Sequence, residues 1–158
     1  MPDVTFAIQN NDPVLSAIES SGLSFGEGVT AARITKTLAV EDLDSSIQSA
    51  TASITSGYEE GEDVLQFVTQ NGISGSFNSS TGVLTLTGTT TAANYQAALR
   101  SIVFANTTNP LTTGTRTVSF LVNDGLANSN AQTRDIVVSE ASGGAIYSIA
   151  RPIASGAF

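Results

Sequence analysis

Thr115-Arg116-Thr117-Val118-Ser119-Phe120-Leu121-Val122-Asn123-Asp124-Gly125 reads as a strand running into a turn. Successive side chains of a strand point to opposite faces, so Val118, Phe120 and Val122 share one inward face. Asp124-Gly125 then has the residue types that reverse a chain. Residues 132–140 form the strand that returns, with Ile136 and Val138 inside. Working outward, residues 47–58 alternate through Ala50, Ala52 and Ile54, and residues 64–68 carry Leu65 and Phe67. Asn71-Gly72 signals a tight turn, and residues 72–77 and 82–87 pair around residues 78–81. Residues 33–40 also alternate, and the pattern predicts one strand with Ile34, Lys36, Leu38 and Val40 on a single face. Residues 14–18 and 23–25 open the series. One stretch changes period: Ala92, Tyr95, Ala98, Leu99 and Ile102 recur at three- and four-residue spacing, predicting a short helix over about 92–102 capped by Thr91. Seven or eight short strands separated by turn residues make the predicted fold an all-β sandwich with one helix.

Composition narrows the chemistry. The chain has 158 residues, 13% of them charged, with 14 carboxylates against six cations and a net charge of -8. An acidic surface opposes phosphate binding and argues against nucleic acid as a partner. Without cysteine there is no disulfide and no thiolate nucleophile or ligand; without histidine the commonest general base is gone. Gly22-Leu23-Ser24-Phe25-Gly26 fits the pattern of a hydrolase elbow, but no histidine can take the serine proton. A glycosidase needs two carboxylates flanking a sugar cleft, and aromatic platforms are scarce, with no Trp and three Tyr. The chain is therefore expected not to be an enzyme. No apolar run reaches the roughly 18 residues of a membrane-spanning helix, and Met1-Pro2-Asp3-Val4 lacks the basic start of a signal peptide.

Three regions follow from the shifts in composition. Residues 1–12 form an N-terminal arm, in which the strand-like run of Val4, Phe6 and Ile8 is cut off by Asn10-Asn11-Asp12-Pro13. Residues 13–140 are the sandwich, with no internal repeat. Residues 141–158 are a C-terminal arm joined through Ser142-Gly143-Gly144 and carrying Ile146, Tyr147, Ile149 and Ile153. Both arms are too apolar for inert linkers. Each could add a strand to a neighbour's sheet edge or fold back over an edge of its own domain. Asn78-Ser79-Ser80 and Asn106-Thr107-Thr108 fit the N-glycosylation pattern.

The body resembles a cadherin-like repeat of bacterial surface proteins and the related repeats of chondroitin sulfate proteoglycans. The stretches that carry the likeness are Phe25-Gly26-Glu27-Gly28, Val40-Glu41-Asp42-Leu43-Asp44, Gly61-Glu62-Asp63-Val64-Leu65-Gln66-Phe67, Gly82-Val83-Leu84-Thr85-Leu86-Thr87-Gly88, Asn94-Tyr95-Gln96-Ala97-Ala98-Leu99-Arg100-Ser101-Ile102 and Val122-Asn123-Asp124-Gly125. The resemblance implies an Ig-like, Greek-key sandwich used for adhesion or spacing. It also implies calcium, with Glu27, Asp42, Asp44 and Asp124 as candidate ligands, since that ion takes six to eight oxygens. The alternative for these carboxylates is a set of solvated loop acids and Asx turns. Glu59-Glu60-Gly61-Glu62-Asp63 is a second acidic run of the same ambiguous kind. Two departures stand out: no acidic triplet follows Leu86, and no proline-ended inter-domain linker is present.

Two functions fit these features. In the first, the chain is a structural or adhesive module of a larger assembly, most readily a bacteriophage virion component. It would decorate a capsid or form part of a tail or fibre, docking through its arms on itself or on another virion protein. In the second, it is a calcium-binding repeat of a large bacterial adhesin, placed at the cell surface or outside the cell, that recognises a glycan or a protein.

Overall fold

The computed structural model describes Asp3, Val4, Ala7 and residues 9–140. Phe6, Ile8, Ile146, Tyr147, Ile149 and Ile153 lie outside the described residues.

Eleven strands and one helix form among the described residues. They are β1 (Val14–Ser16), β2 (Leu23–Gly26), β3 (Ala31–Arg33), β4 (Ala39–Glu41), β5 (Ile47–Ser56), β6 (Val64–Gln66), β7 (Ser74–Asn78), β8 (Val83–Thr90), α1 (Ala92–Ser101), β9 (Val103–Ala105), β10 (Gly114–Asn123) and β11 (Gln132–Ser139). One layer is a six-stranded sheet in the order β2-β11-β10-β5-β8-β7. Its ladders are antiparallel except for the parallel pair β2–β11. The other layer comprises the three-stranded sheet β3-β9-β6 and the two-stranded ladder β1-β4. This is an all-β, Ig-like sandwich with one short helix.

The long strands alternate as their sequences require. In β10, Val118, Phe120 and Val122 are buried; in β5, so are Ala50, Ala52 and Ile54. They meet Leu15, Leu65 and Phe104 from the facing layer in a single core. Phe25 and Phe104 cross edge to face, with ring centroids 4.9 Å apart, an arrangement aromatic quadrupoles favour. The Asn71-Gly72 turn forms as expected, with positive φ at both residues and reciprocal backbone bonds between Gln70 and Ile73.

The helix begins where its cap predicts. The Oγ1 of Thr91 accepts the N–H of Asn94, 3.2 Å away. Tyr95, Ala98 and Leu99 form its buried face. The Tyr95 hydroxyl donates to the Gly88 carbonyl at 2.7 Å, and burial pushes the phenol up to about 12.

Residues 33–40 depart from the predicted single strand. β3 ends at Arg33 and β4 starts at Ala39. Between them the buried Thr35 accepts the N–H groups of Thr37 and Leu38 on its Oγ1, which bends the chain. Ile34 and Leu38 still reach the core, but Lys36 is exposed and not on their face. Two arginines serve the carbonyls that this bend takes out of a ladder: Arg134 donates to Ile34 and Arg100 to Leu38 and Thr37. Glu19 completes the corner, accepting from Thr35 Oγ1 at 2.6 Å and Lys36 N at 2.8 Å, with Arg134 at 3.3 Å. Burial alone would raise the Glu19 carboxyl. The Thr35 hydroxyl, the N–H groups of Lys36 and Glu19, and the Arg134 charge outweigh it and hold the carboxyl at about 2.

One inward position of β10 is ionic. Arg116, 1% exposed, pairs with Asp63, also 1% exposed, at 3.0 Å. Asn106 donates to the Asp63 Oδ1 at 2.9 Å and the Glu59 N–H to its Oδ2 at 2.9 Å. The cluster joins β10 to the turn that leads into β6, so it bridges the two layers. Removing one partner strands the other charge in the core. Arg116→Met or Asp63→Leu alone should destabilise the fold by about 3–5 kcal/mol in urea unfolding. The double variant Arg116→Met/Asp63→Leu should recover most of that loss.

Candidate functional site

Three of the four candidate calcium ligands gather at one end of the sandwich. Asp42 follows β4 and closes an Asx turn, its Oδ1 accepting the N–H groups of Asp44 at 3.2 Å and Ser45 at 3.0 Å. Asp124 follows β10, and its Oδ1 accepts Leu126 N and Ala127 N, both at 2.7 Å. Asp124 is buried, whereas Asp44 is exposed. These positions follow from topology: the β4–β5 and β10–β11 connections open at the same end, because β5 and β10 pair with Asn123 opposite Ser49.

The chain's own N-terminal approach ties this end together. Asn10 Nδ2 donates to the free Oδ2 of Asp124 at 2.8 Å, and Asn11 donates through N and Nδ2 to Asp44 Oδ2, each at 2.9 Å. Ser45 Oγ stands 3.1 Å from both Asn10 Oδ1 and Asp44 Oδ1. The Asn11 backbone N–H holds the Asp44 carboxyl below its ordinary range, helped by Ser45, the Asn11 side chain and Asp42 against slight desolvation. The Ala127 N–H does the same for Asp124, with Leu126 N and Asn10 adding to it. The sequence presents Asn10-Asn11-Asp12-Pro13 only as a break; its readable signal was three Asx residues in a row, a dense set of donors and acceptors next to a conformationally fixed proline.

Glu27 is not part of this group. It lies in the turn after β2, and Gly26 pairs with Ser139 at the far end of β11. The eight residues of β11 span roughly 26 Å, so Glu27 cannot share an ion with Asp124. It lines a separate open hollow of about 150 Å³ with Thr30, Asn106, Thr108 and Leu111. The second acidic run also lies at that far end. There Asp63 is committed to Arg116, and Glu62 accepts from Thr112 Oγ1 at 2.9 Å. Val4, of the N-terminal arm, is 73% exposed. Ser24 of the elbow-like pentapeptide sits within β2, opposite Val137, and not on a strand-to-helix turn.

Among the described residues, no three acidic side chains stand close enough to form a metal cage by themselves. The donor set nevertheless has the hard-oxygen character calcium requires. Among the described residues, Asp42 Oδ2 is buried without a hydrogen-bond partner, as is Glu62 Oε2 at the far end, each an acceptor left for a cation or a further donor. The other oxygens of Asp42, Asp44 and Asp124 are held by amide N–H groups or, for Asp44 Oδ1, by the Ser45 hydroxyl, and would have to exchange these donors for an ion.

No family model and no curated protein matches the chain. Among solved structures it is similar to the solution structure of the PKD domain from KIAA 1837 protein, at 16% identity. That match covers 87% of this chain and 96% of the other, with a TM-score of 0.36.

Glu19, Asp44 and Asp124 all titrate lower in the folded chain than in the unfolded one. Their stabilisation is present above the ordinary carboxylate range, and it fades as pH falls through that range toward the folded values. Urea midpoints should hold from neutrality to about pH 5 and then fall steadily. Glu19→Gln should lower the neutral plateau and flatten the acid slope; an unchanged slope would show that these contacts do not set acid stability.

Proposed function

We propose that this chain is a non-enzymatic structural and adhesive module that works within a larger assembly. The observation that carries the reading is where the chain meets and leaves the sandwich. Residues 10 and 11 dock at the Asp44–Asp124 end, and β11 delivers the chain to the opposite end at Ser139. Domains often bring their termini together. Here the two passages stand a sandwich length apart, which suits a spacer or a displayed unit joined to partners at both ends. The acidic surface disfavours nucleic acid, so the partners are proteins: copies of the chain or other components of the assembly.

Within this reading the assembly is a virion, where the chain decorates a capsid or forms part of a tail or fibre. The arms, Val4 to Ile8 and Ile146 to Ile153, make the docking contacts. Fractionating the natural source tests this directly. The protein should sediment with particles, its arms protected from protease. Recovery as a free monomer with protease-sensitive arms would overturn it.

The acidic end favours a second reading, a calcium-binding repeat of the cadherin-like and chondroitin sulfate proteoglycan type from a surface adhesin that engages a glycan or a protein. The unpartnered Asp42 Oδ2 supports it, as does the bonding of Asp44 and Asp124 to the incoming chain. Asp42, Asp44 and Asp124, with amide oxygens of Asn10 and Asn11, would hold the ion, which would stiffen the junction between this sandwich and whatever precedes it. On this reading calcium raises the melting temperature by several degrees, as a millimolar ligand with a micromolar Kd would. Magnesium should do less, and Asp42→Ala should abolish the calcium shift. No shift with calcium would remove the second reading and leave the first intact.

A further inference from the structure

The edges of the two layers are finished differently. In the β1-β4 ladder, side-chain amides replace the missing neighbours. Asn130 accepts from Leu15 N and donates to Leu15 O, both at 2.8 Å, and Gln96 accepts from Val40 N at 3.2 Å. β2 is four residues long and runs into Glu27, and its Gly26 carbonyl is taken by Val29 N. β3 and β6 are three residues each. Among the described residues, β7 has none of these protections. It is the outermost strand of the six-stranded sheet, and Ser74-Gly75-Ser76-Phe77-Asn78 contains no charge and no proline. Its alternate residues leave their N–H and C=O groups pointing outward. Such an edge is a template for another strand.

An apolar groove of about 450 Å³ runs beside this edge, where the two layers part between β6 and β7. Phe67, Phe77 and Leu84 line it, and Val68, 79% exposed, forms its lip. At Gly75 the Phe67 ring lies directly against the β7 backbone, because a Cβ there would come within 2.8 Å of it.

We propose that this edge receives the C-terminal arm of a second copy of the chain as an added strand; the inference rests on the assembly reading above and names its contact. Ala145-Ile146-Tyr147-Ser148-Ile149-Ala150 is an uncharged run about as long as β7, and Arg151-Pro152 ends it. Tyr147 and Ile149 are two residues apart, so in an added strand both meet the groove side. The uncharged edge also lets two chains of net charge -8 approach without placing carboxylates face to face.

The donor must be another copy because the chain's own arm is too short. The lane beyond β7 lies five strand spacings from β11, roughly 24 Å along the sheet. Asn78 also stands level with Thr133 through Val83, Ser53 and Ser119, six residues back from Ser139 and therefore roughly 20 Å along the strands. From Ser139 to Ile146 are seven residues, at most roughly 24 Å of extended chain. That is less than the combined path, which must also round the loops at that end.

Sedimentation velocity on the full chain tests the contact with two substitutions outside the core, Val68→Asp at the groove lip and Ile149→Asp on the arm. The wild type should self-associate as concentration rises, and each variant should do so at least roughly tenfold more weakly, about 1.4 kcal/mol. Mixing the two should restore hetero-association, because the Ile149→Asp chain keeps its edge and the Val68→Asp chain keeps its arm. A wild type that stays monomeric at every concentration overturns the proposal. So does association that neither substitution weakens, but that result leaves the assembly reading standing on another contact. The fractionation experiment judges the assembly reading independently.

Discussion

A guanidinium sits where the alternation of β10 reserves a place for an apolar side chain. Arg116 shares its face with Val118, Phe120 and Val122, and its charge is matched within the core by Asp63. A lone buried charge costs several kcal/mol, so the pair forms only if the turn before β6 is brought against the start of β10. Asn106 and the Glu59 N–H then occupy the remaining acceptor sites of Asp63. The hydrophobic residues supply the drive to stack two layers. The ion pair adds a directional condition on how they meet, and the hollow beside Glu27 and the acidic turn from Glu59 are arranged around it.

The opposite end is organised by hydrogen bonds to carboxylates. Asp42 and Asp124 each spend an oxygen on backbone N–H groups of their own loops, which shapes those loops and aims the remaining oxygen elsewhere. For Asp124 that oxygen meets Asn10; for Asp42 it meets no donor among the described residues. The first segment of the chain is thereby made part of the sandwich end. The chain thus enters the sandwich at this end, through Asn10 and Asn11, and leaves it at the other, through β11.

Several elements were legible because a local pattern and the tertiary environment agree. The alternation of β5, β10 and β11, the Asn71-Gly72 turn, and the helix with its Thr91 cap all formed where residue spacing placed them. Residues 33–40 show the contrary case. Their alternation is real, but Thr35 can bond its own backbone, and Glu19, Arg100 and Arg134 arrive from distant parts of the chain to stabilise the bend. A period-two pattern carries no information about such partners. The candidate site divides in the same way: Asp42, Asp44 and Asp124 were recognisable as loop carboxylates, but Glu27 is of the same residue type and lies at the other end.

The sequence by itself determined the class of the fold and the absence of imidazole and thiol chemistry, because strand periodicity is local and missing histidine and cysteine cannot be supplied by folding. Tertiary structure alone decided which carboxylates share an end, which is neutralised by Arg116, and which strand edge is left uncapped among the described residues. Those are distances between residues far apart in the chain, and they arise from how the layers close over one core.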